Sequence, residues 1–207
     1  ESGHPLPDQA SLLAGRQLVQ FLQEAPAAAH FLFLLSGGAS SLVEVLPEGI
    51  GLDELCRANR WLLAAGFSIQ VINQIRKRLS CIKGGRLVRH LSGRPTVALL
   101  ISDVIGDDPG HIGSGLLVPD PALLSLPGDL PDWLLQLLRE VPIAPPDNAA
   151  GFDCITTAII ATLGDAQRAA VDFAQGLGYR VQPTTGYLHG DSIQVGRRLA
   201  EMLLQGP

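Results

Sequence analysis

Phe31-Leu32-Phe33-Leu34-Leu35 runs directly into Ser36-Gly37-Gly38-Ala39-Ser40-Ser41, and this junction decides the reading of the fold. Five consecutive apolar residues leave no polar face, so the segment reads as a strand buried on both sides, as in a parallel sheet. The glycine pair after it marks a tight loop at the strand's carboxyl end. Thr96 to Ser102 repeats the pattern and delivers Asp103 to a second such loop. Ile155 to Thr162 predicts a third strand and Tyr179 to Gln182 a fourth. Between them the apolar period changes to that of helices: Asp8 to Glu24 with Asp8 as N-cap, Leu52 to Ala65 ended by Gly66, and Ser68 through Leu79. Further helices are predicted at Leu87 to Leu91, Pro131 to Arg139, Asp165 to Leu177 closed by Gly178, and Asp191 to Leu204, with a Pro-rich link at Pro142 to Pro146. Alternating helix and strand predicts an α/β fold, a three-layer α/β/α sandwich with a mostly parallel sheet, over a single domain spanning 1–207.

Composition narrows the class. The chain has 207 residues, of which 46% are apolar, enough for a core of ordinary size and incompatible with a disordered tail. Aromatics make up only 5% and Met occurs once, so that core is built from Leu, Val, Ile and Ala. The longest apolar stretches fall far short of the ~20 residues that cross a bilayer, and Glu1 to Asp8 lacks the features of a secretory signal. The expectation is a cytoplasmic protein with no membrane partner. The first residue is Glu1 rather than Met, which reads as a processed or excised piece of a longer chain. Cys56, Cys81 and Cys154 have no C-x-x-C spacing, and His4, His30, His90, His111 and His189 show no metal spacing. A net charge of −5 argues against a nucleic-acid partner. The distribution of charge says more. No acidic residue lies between Glu54 and Asp103, where Arg57, Arg60, Arg76, Lys77, Arg78, Lys83, Arg86, Arg89 and Arg94 all fall, and Asp103, Asp107 and Asp108 follow at once.

Three constellations carry chemistry. Ser36, Gly37, Gly38 and Ser40 follow a strand, where glycines let backbone N–H groups approach an anion. The loop matches neither G-x-x-x-x-G-K-[ST] nor G-x-G-x-x-G, so neither a P-loop nor a dinucleotide fingerprint is present. On the next helix Asn73, Arg76, Lys77 and Ser80 share one face, and Lys83 with Gly84 and Gly85 at its end adds an ammonium and free backbone donors. The alternative is an amphipathic helix with a wet basic face. Asp103, Asp107 and Asp108, after the second strand, suit Mg²⁺, which takes one or two carboxylates plus phosphate oxygens and water.

Read together in order, these blocks resemble the glycerate 2-kinase family, also called the MOFRL family and often labelled hydroxypyruvate reductase. The matching pieces are Glu1-Ser2-Gly3-His4-Pro5-Leu6-Pro7-Asp8, the SGGASSL loop from Ser36, NQIRKRLSCIKGGRL from Asn73, SDVIGDD from Ser102, and Ser114-Gly115 through Pro121. They span the family's N-terminal domain from near position 1 to about 121, with a looser match to 207. The resemblance implies ATP- and Mg²⁺-dependent phosphorylation of D-glycerate at its 2-hydroxyl, with glycerate and nucleotide as partners and a homodimer as one admissible assembly. It implies catalytic roles for Arg76, Lys83 and Asp103. Substrate or phosphate contacts fall to Ser36, Gly37, Gly38, Ser40, Asn73, Lys77, Ser80, Gly84, Gly85, Arg86, Ser114 and Gly115, and the metal to Asp103, Asp107 or Asp108. One of these carboxylates can instead accept the hydroxyl proton; the roles are not apportioned. Two departures stand out. Ala39 replaces a usual glycine, and Ser114-Gly115-Leu116-Leu117 stands where the family has Ser-Gly-Pro-Thr. Family members also carry a segment before the ESGHP block with a catalytic lysine, and a C-terminal domain that contributes an arginine; neither lies in this sequence. The competing readings are an NAD(P)-linked hydroxypyruvate reductase and a non-catalytic family remnant.

Overall fold

A computed structural model describes residues 2–3, 6–67, 69–121, 128–141, 151–182, 188 and 192–204. Two compact units divide the chain, residues 1–163 and 164–207, at a boundary the sequence analysis did not draw.

In the first unit, α1 (Gln9–Glu24) begins as its N-cap predicts. Asp8 Oδ1 accepts from the Ser11 backbone N–H at 2.9 Å, and Ser11 Oγ accepts from the Asp8 backbone N–H at 3.1 Å. The bond from the Ser11 N–H is the main reason the Asp8 carboxyl lies below its ordinary range. Next come β1 (Phe31–Leu35), α2 (Ala39–Leu42), α3 (Leu52–Ala64), α4 (Ile69–Arg78), a 3₁₀ turn at Arg86–His90, β2 (Thr96–Ile101), a second 3₁₀ turn at Ile112–Ser114, α5 (Asp132–Glu140) and β3 (Ile155–Ala161).

The three strands form a parallel sheet in the order β1-β2-β3, with Phe31 opposite Thr96 and Thr96 opposite Ile155. The fold is therefore of the α/β class with a parallel sheet, as predicted, but the predicted burial of these strands on both sides is not met: among the described residues the apolar side chains alternate between a packed face and an exposed one. One face of the sheet, carrying Phe31, Phe33, Leu35, Ala98, Leu100, Ile155 and Ile159, packs on Leu18, Val19 and Leu22 of α1 and on Leu87, Leu91, Ile112, Leu116 and Leu117. On the opposite face Leu32, Leu34, Val97, Ile101 and Ile160 are exposed. Arg94, buried ahead of β2, ties α1 to the sheet: its guanidinium donates to the carbonyls of Leu22 and Ala25 at the helix's C-terminal end, and lies 4.7 Å from the Phe31 ring centroid.

A second apolar cluster joins α3, α4 and α5 through Leu55, Leu62, Ile72, Ile75, Leu79, Leu134 and Leu138. The predicted αα pair is thus real, and Gly66 ends α3 with φ +72°.

The second unit carries α7 (Ser192–Leu204) and all but the first residue of α6 (Leu163–Gly176); neither helix has a buried residue. The predicted fourth strand at Tyr179–Gln182 is not formed. Those four residues alternate polar and apolar, too short a run to require a sheet partner. The predicted link at Pro142–Pro146 and the start at Asp191 lie outside the described residues. Among the described residues no helix is long and apolar enough to cross a membrane.

Candidate active site

The carboxyl ends of β1 and β2 bring two predicted loops together. After Leu35 the chain turns at Gly38, φ +83°, and enters α2, where Ser41 Oγ donates to the Gly38 carbonyl at 3.2 Å. From the end of β2, Asp103 leans on this turn so closely that a Cβ on Gly37 would lie 1.8 Å from its Oδ2. Gly37 is thus needed for close approach, whereas Gly38 is needed for its left-handed backbone. The Asp103 carboxylate is exposed and has no hydrogen-bond or ion-pair partner among the described residues.

A third loop closes on the first. Ser40 Oγ and Ser114 Oγ are hydrogen-bonded at 2.5 Å. Gly113, Ser114 and Gly115 have φ of +58°, +60° and +61°, an unusual run in which only the serine carries a Cβ. Leu116 and Leu117, which replace the family's Pro-Thr, are buried in the core against the sheet. The departure therefore acts in packing.

Under the serine loop lies a buried charged cluster that sequence reasoning half found. Lys83 Nζ is ion-paired with Glu44 Oε2, and both side chains are 1% exposed. Glu44 Oε1 also accepts from the Val45 N–H at 3.0 Å. Its backbone is held by α1: the Glu44 N–H donates to the Ser11 carbonyl at 3.0 Å, and a Cβ on Gly15 would lie 2.0 Å from the Glu44 carbonyl oxygen. Arg76, half-buried on α4, donates from Nε to Asn59 Oδ1 on α3 at 2.6 Å. Burial pushes the Arg76 guanidinium below its ordinary range, and the Glu44 charge opposes that shift. Pro7, Ser40, Ser41, Glu44, Leu55, Asn59, Arg76 and Lys83 line one small, partly open cavity of about 10 Å³. Glu44 and Asn59 were not among the predicted site residues. The one signal for Glu44 was a lone acid inside the apolar stretch Leu42-Val43-Glu44-Val45-Leu46.

A separate groove of about 320 Å³ is lined by Asn73, Lys77, Asp108, His111 and Asp120 among others. Lys77 Nζ donates to Asp120 Oδ2 at 2.6 Å. Asp108 has both oxygens engaged, Oδ1 by the Gly110 N–H at 2.8 Å and Oδ2 by His111 Nδ1 at 2.9 Å. The Gly110 N–H is the main reason its carboxyl lies below the ordinary range, with the His111 contact adding to it.

Several predicted contacts are used otherwise. Gly84 and Gly85 do not offer free donors: their N–H groups bond to the carbonyls of Ser114 at 3.0 Å and Gly115 at 2.7 Å, tying the two loops together. Ser80, fully buried, accepts from the N–H groups of Ile82 and Lys83 and so shapes the turn after α4. Arg86 donates to the carbonyls of Lys83 and Lys77. Burial lowers it to about 10, and it lines a different cavity, with Arg89. Asp103, Asp107 and Asp108 are not gathered at one point: among the described residues no three His, Cys, Asp or Glu side chains form a group able to hold a metal. In the turn that follows Asp103, Gly106 has φ +83° and Asp107 φ +52°. His4 and His189 lie outside the described residues.

Asp103 fits one Mg²⁺ in the manner of phosphoryl-transfer sites, where a single carboxylate suffices beside phosphate oxygens and water. Its exposed, unpartnered carboxylate at the sheet's carboxyl edge is the observation that supports the fit.

Comparison with known proteins finds relatives in both sequence and structure. The D-glycerate 2-kinase of Thermotoga maritima is 42% identical over 120 residues, covering 58% of this chain and 29% of that protein. A protein of Agrobacterium vitis carrying a hydroxypyruvate reductase name is 42% identical over 126 residues, covering 60% of this chain and 28% of its own length. The crystal structure of glycerate kinase from Thermotoga maritima superposes with a TM-score of 0.69 at 28% identity, covering 99% of this chain and 50% of that one. The chain thus spans half or less of the length of these relatives. A sequence profile described as a domain of unknown function, DUF4147, matches residues 1–126. With more than half its length matched by that profile, and with glycerate 2-kinases as its relatives in sequence and structure, the chain belongs to the DUF4147 family, the glycerate 2-kinase family its motifs resemble.

Proposed function

We propose that the protein to which this chain belongs phosphorylates D-glycerate at the 2-hydroxyl with ATP, and that residues 1–163 form one wall of the site. The observation that carries the reading is an exposed carboxylate on a glycine turn at the carboxyl edge of β1 and β2, with a half-buried arginine and a buried lysine lining the cavity of the adjoining serine loop. Phosphoryl transfer asks a protein mainly for positioning and for cancellation of phosphate charge.

In this reading Asp103 is the residue that would hold Mg²⁺, which would supply positive charge to offset that of the phosphates. Arg76 receives an anionic oxygen of the substrate. Lys83, committed to Glu44, supplies a fixed positive charge rather than a mobile donor. The hydroxyl pair of Ser40 and Ser114 holds the loop that borders both groups. Asn73 and Lys77 line the neighbouring groove, whose size and mixed polarity suit part of a nucleotide.

The test is ATP-dependent appearance of 2-phosphoglycerate from D-glycerate with full-length protein, alongside Arg76→Ala and Asp103→Ala. Absence of product from wild type, or full activity in both variants, overturns the reading. The hydroxypyruvate reductase name on one relative supports a second reading, which loss of nicotinamide absorbance with hydroxypyruvate would establish. The absence of G-x-G-x-x-G counts against it.

A further inference from the structure

Asn59 is 1% exposed on α3, facing α4. Its Oδ1 accepts from Arg76 Nε at 2.6 Å, while its Nδ2 is buried without a hydrogen-bond partner. The side-chain amide cannot be turned over to relieve this. Arg76 Nε carries a hydrogen and no available lone pair, so only the carbonyl oxygen can face it. The N–H bonds of Nδ2 are therefore fixed as donors on the other side of the same group.

Buried donors without acceptors are rare in folded proteins because they give up their bonds to water for nothing. Here the orphan belongs to a residue that lines the small cavity with Ser40, Arg76 and Lys83. Charge in that cavity is also unbalanced. Glu44 is paired with Lys83, and Arg76 has no acid in ion-pair contact among the described residues. A guanidinium that shares the charge of Glu44 with Lys83 and an amide donor without an acceptor line a space with room for about one water-sized oxygen. Both deficits are met by a single anionic oxygen.

We propose that Asn59 is the substrate-positioning residue of this site: its Oδ1 orients the Arg76 guanidinium, and its Nδ2 and that guanidinium together receive the carboxylate of a 2-hydroxy acid substrate. This rests on the kinase reading for the identity of the acid, but the pairing of donor and cation does not.

The experiment compares full-length wild type with Asn59→Asp, which keeps an oxygen for Arg76 but removes the amide hydrogens, and Asn59→Leu, which removes both. Measured are kcat, KM for D-glycerate, KM for ATP, and the thermal midpoint with and without D-glycerate. KM for D-glycerate is expected to rise at least tenfold in Asn59→Asp while KM for ATP stays within twofold, and D-glycerate no longer raises that variant's midpoint. Asn59→Leu is expected to lower kcat as well, because Arg76 loses its anchor. A folded Asn59→Asp protein whose KM for D-glycerate stays within twofold of wild type overturns the proposal, as does an equal rise in both KM values. If wild type makes no phosphoglycerate the kinase reading falls alone, and the midpoints decide the rest. Stabilisation of wild type but not of Asn59→Asp by D-glycerate supports the role of Asn59, and no stabilisation of wild type overturns it.

Discussion

Replacing Glu44 by Gln while leaving Lys83 in place strands an ammonium in a site that is 1% exposed. Breaking a buried pair from one side costs roughly 3–5 kcal/mol, because the remaining charge has neither water nor partner. At ~2–4 °C per kcal/mol for a chain of this size, the thermal midpoint falls by roughly 6–20 °C. The surroundings make the two halves of the pair unequal. Glu44 also acts on Arg76 and Arg86, so Glu44→Gln leaves three cations with no acid among them, whereas Lys83→Met leaves Glu44 still facing two guanidiniums. Glu44→Gln is therefore expected to be the more damaging substitution, and the double variant Glu44→Gln/Lys83→Met to lie above Glu44→Gln alone. Guanidinium unfolding of the four proteins, followed by circular dichroism, gives the coupling directly. A loss below ~1 kcal/mol for Glu44→Gln or strict additivity in the double variant would refute the buried pair, and equal costs for the two single variants would refute the asymmetry drawn from Arg76 and Arg86.

Gly37→Ala is expected to force the Asp103 carboxylate from its place, since the new Cβ would meet Oδ2 at 1.8 Å. A displacement of that order lowers kcat about 100-fold, while the far-ultraviolet circular dichroism spectrum stays unchanged. At Ser114, φ +60°, Gly is expected to be more stable than Ala by ~1 kcal/mol, because both lose the bond to Ser40 and only Ala keeps the strained Cβ; denaturant midpoints of the two variants check this. The Asp108 carboxyl should titrate below 3.8 by carbon-13 NMR, chiefly through the Gly110 N–H. Its folded value being depressed, its contribution to stability is present above 3.8 and is lost as pH falls through the folded value. Asp108→Asn is expected to flatten the acid limb of the stability curve in that window.

The strands at Phe31 and Thr96 were legible because a short apolar run that ends in a glycine or aspartate turn fits a parallel strand, whereas their burial on both faces was not, since Leu32, Leu34, Val97 and Ile101 are exposed. The αα pair was legible because Gly66 interrupts two strong stripes. The site was legible only as a neighbourhood. Residue types in NQIRKRLSCIKGGR announce anion chemistry, yet which of them face a ligand depends on the turn after α4. There Ser80 and the Gly84-Gly85 amides are consumed by backbone bonds, and Arg86 turns to two carbonyls. Glu44 escaped notice because its partner lies 39 positions away, and a lone acid between valines carries no motif. Asn59 escaped because its value lies in an atom left without a partner, which no spacing records.

The register of the sheet has a consequence for the order in which the molecule assembles. Phe31 pairs with Thr96, and Thr96 with Ile155, so neither ladder forms until a long stretch of chain has been gathered in. Closing such loops is what slows the folding of parallel sheets. The chain between β1 and β2 contains α3 and α4, which pack on each other over short separations. Packing of that helical pair would shorten the path the strands must search, and the Glu44–Lys83 contact, 39 positions apart inside the same excursion, closes a shorter loop than the pairing of Phe31 with Thr96.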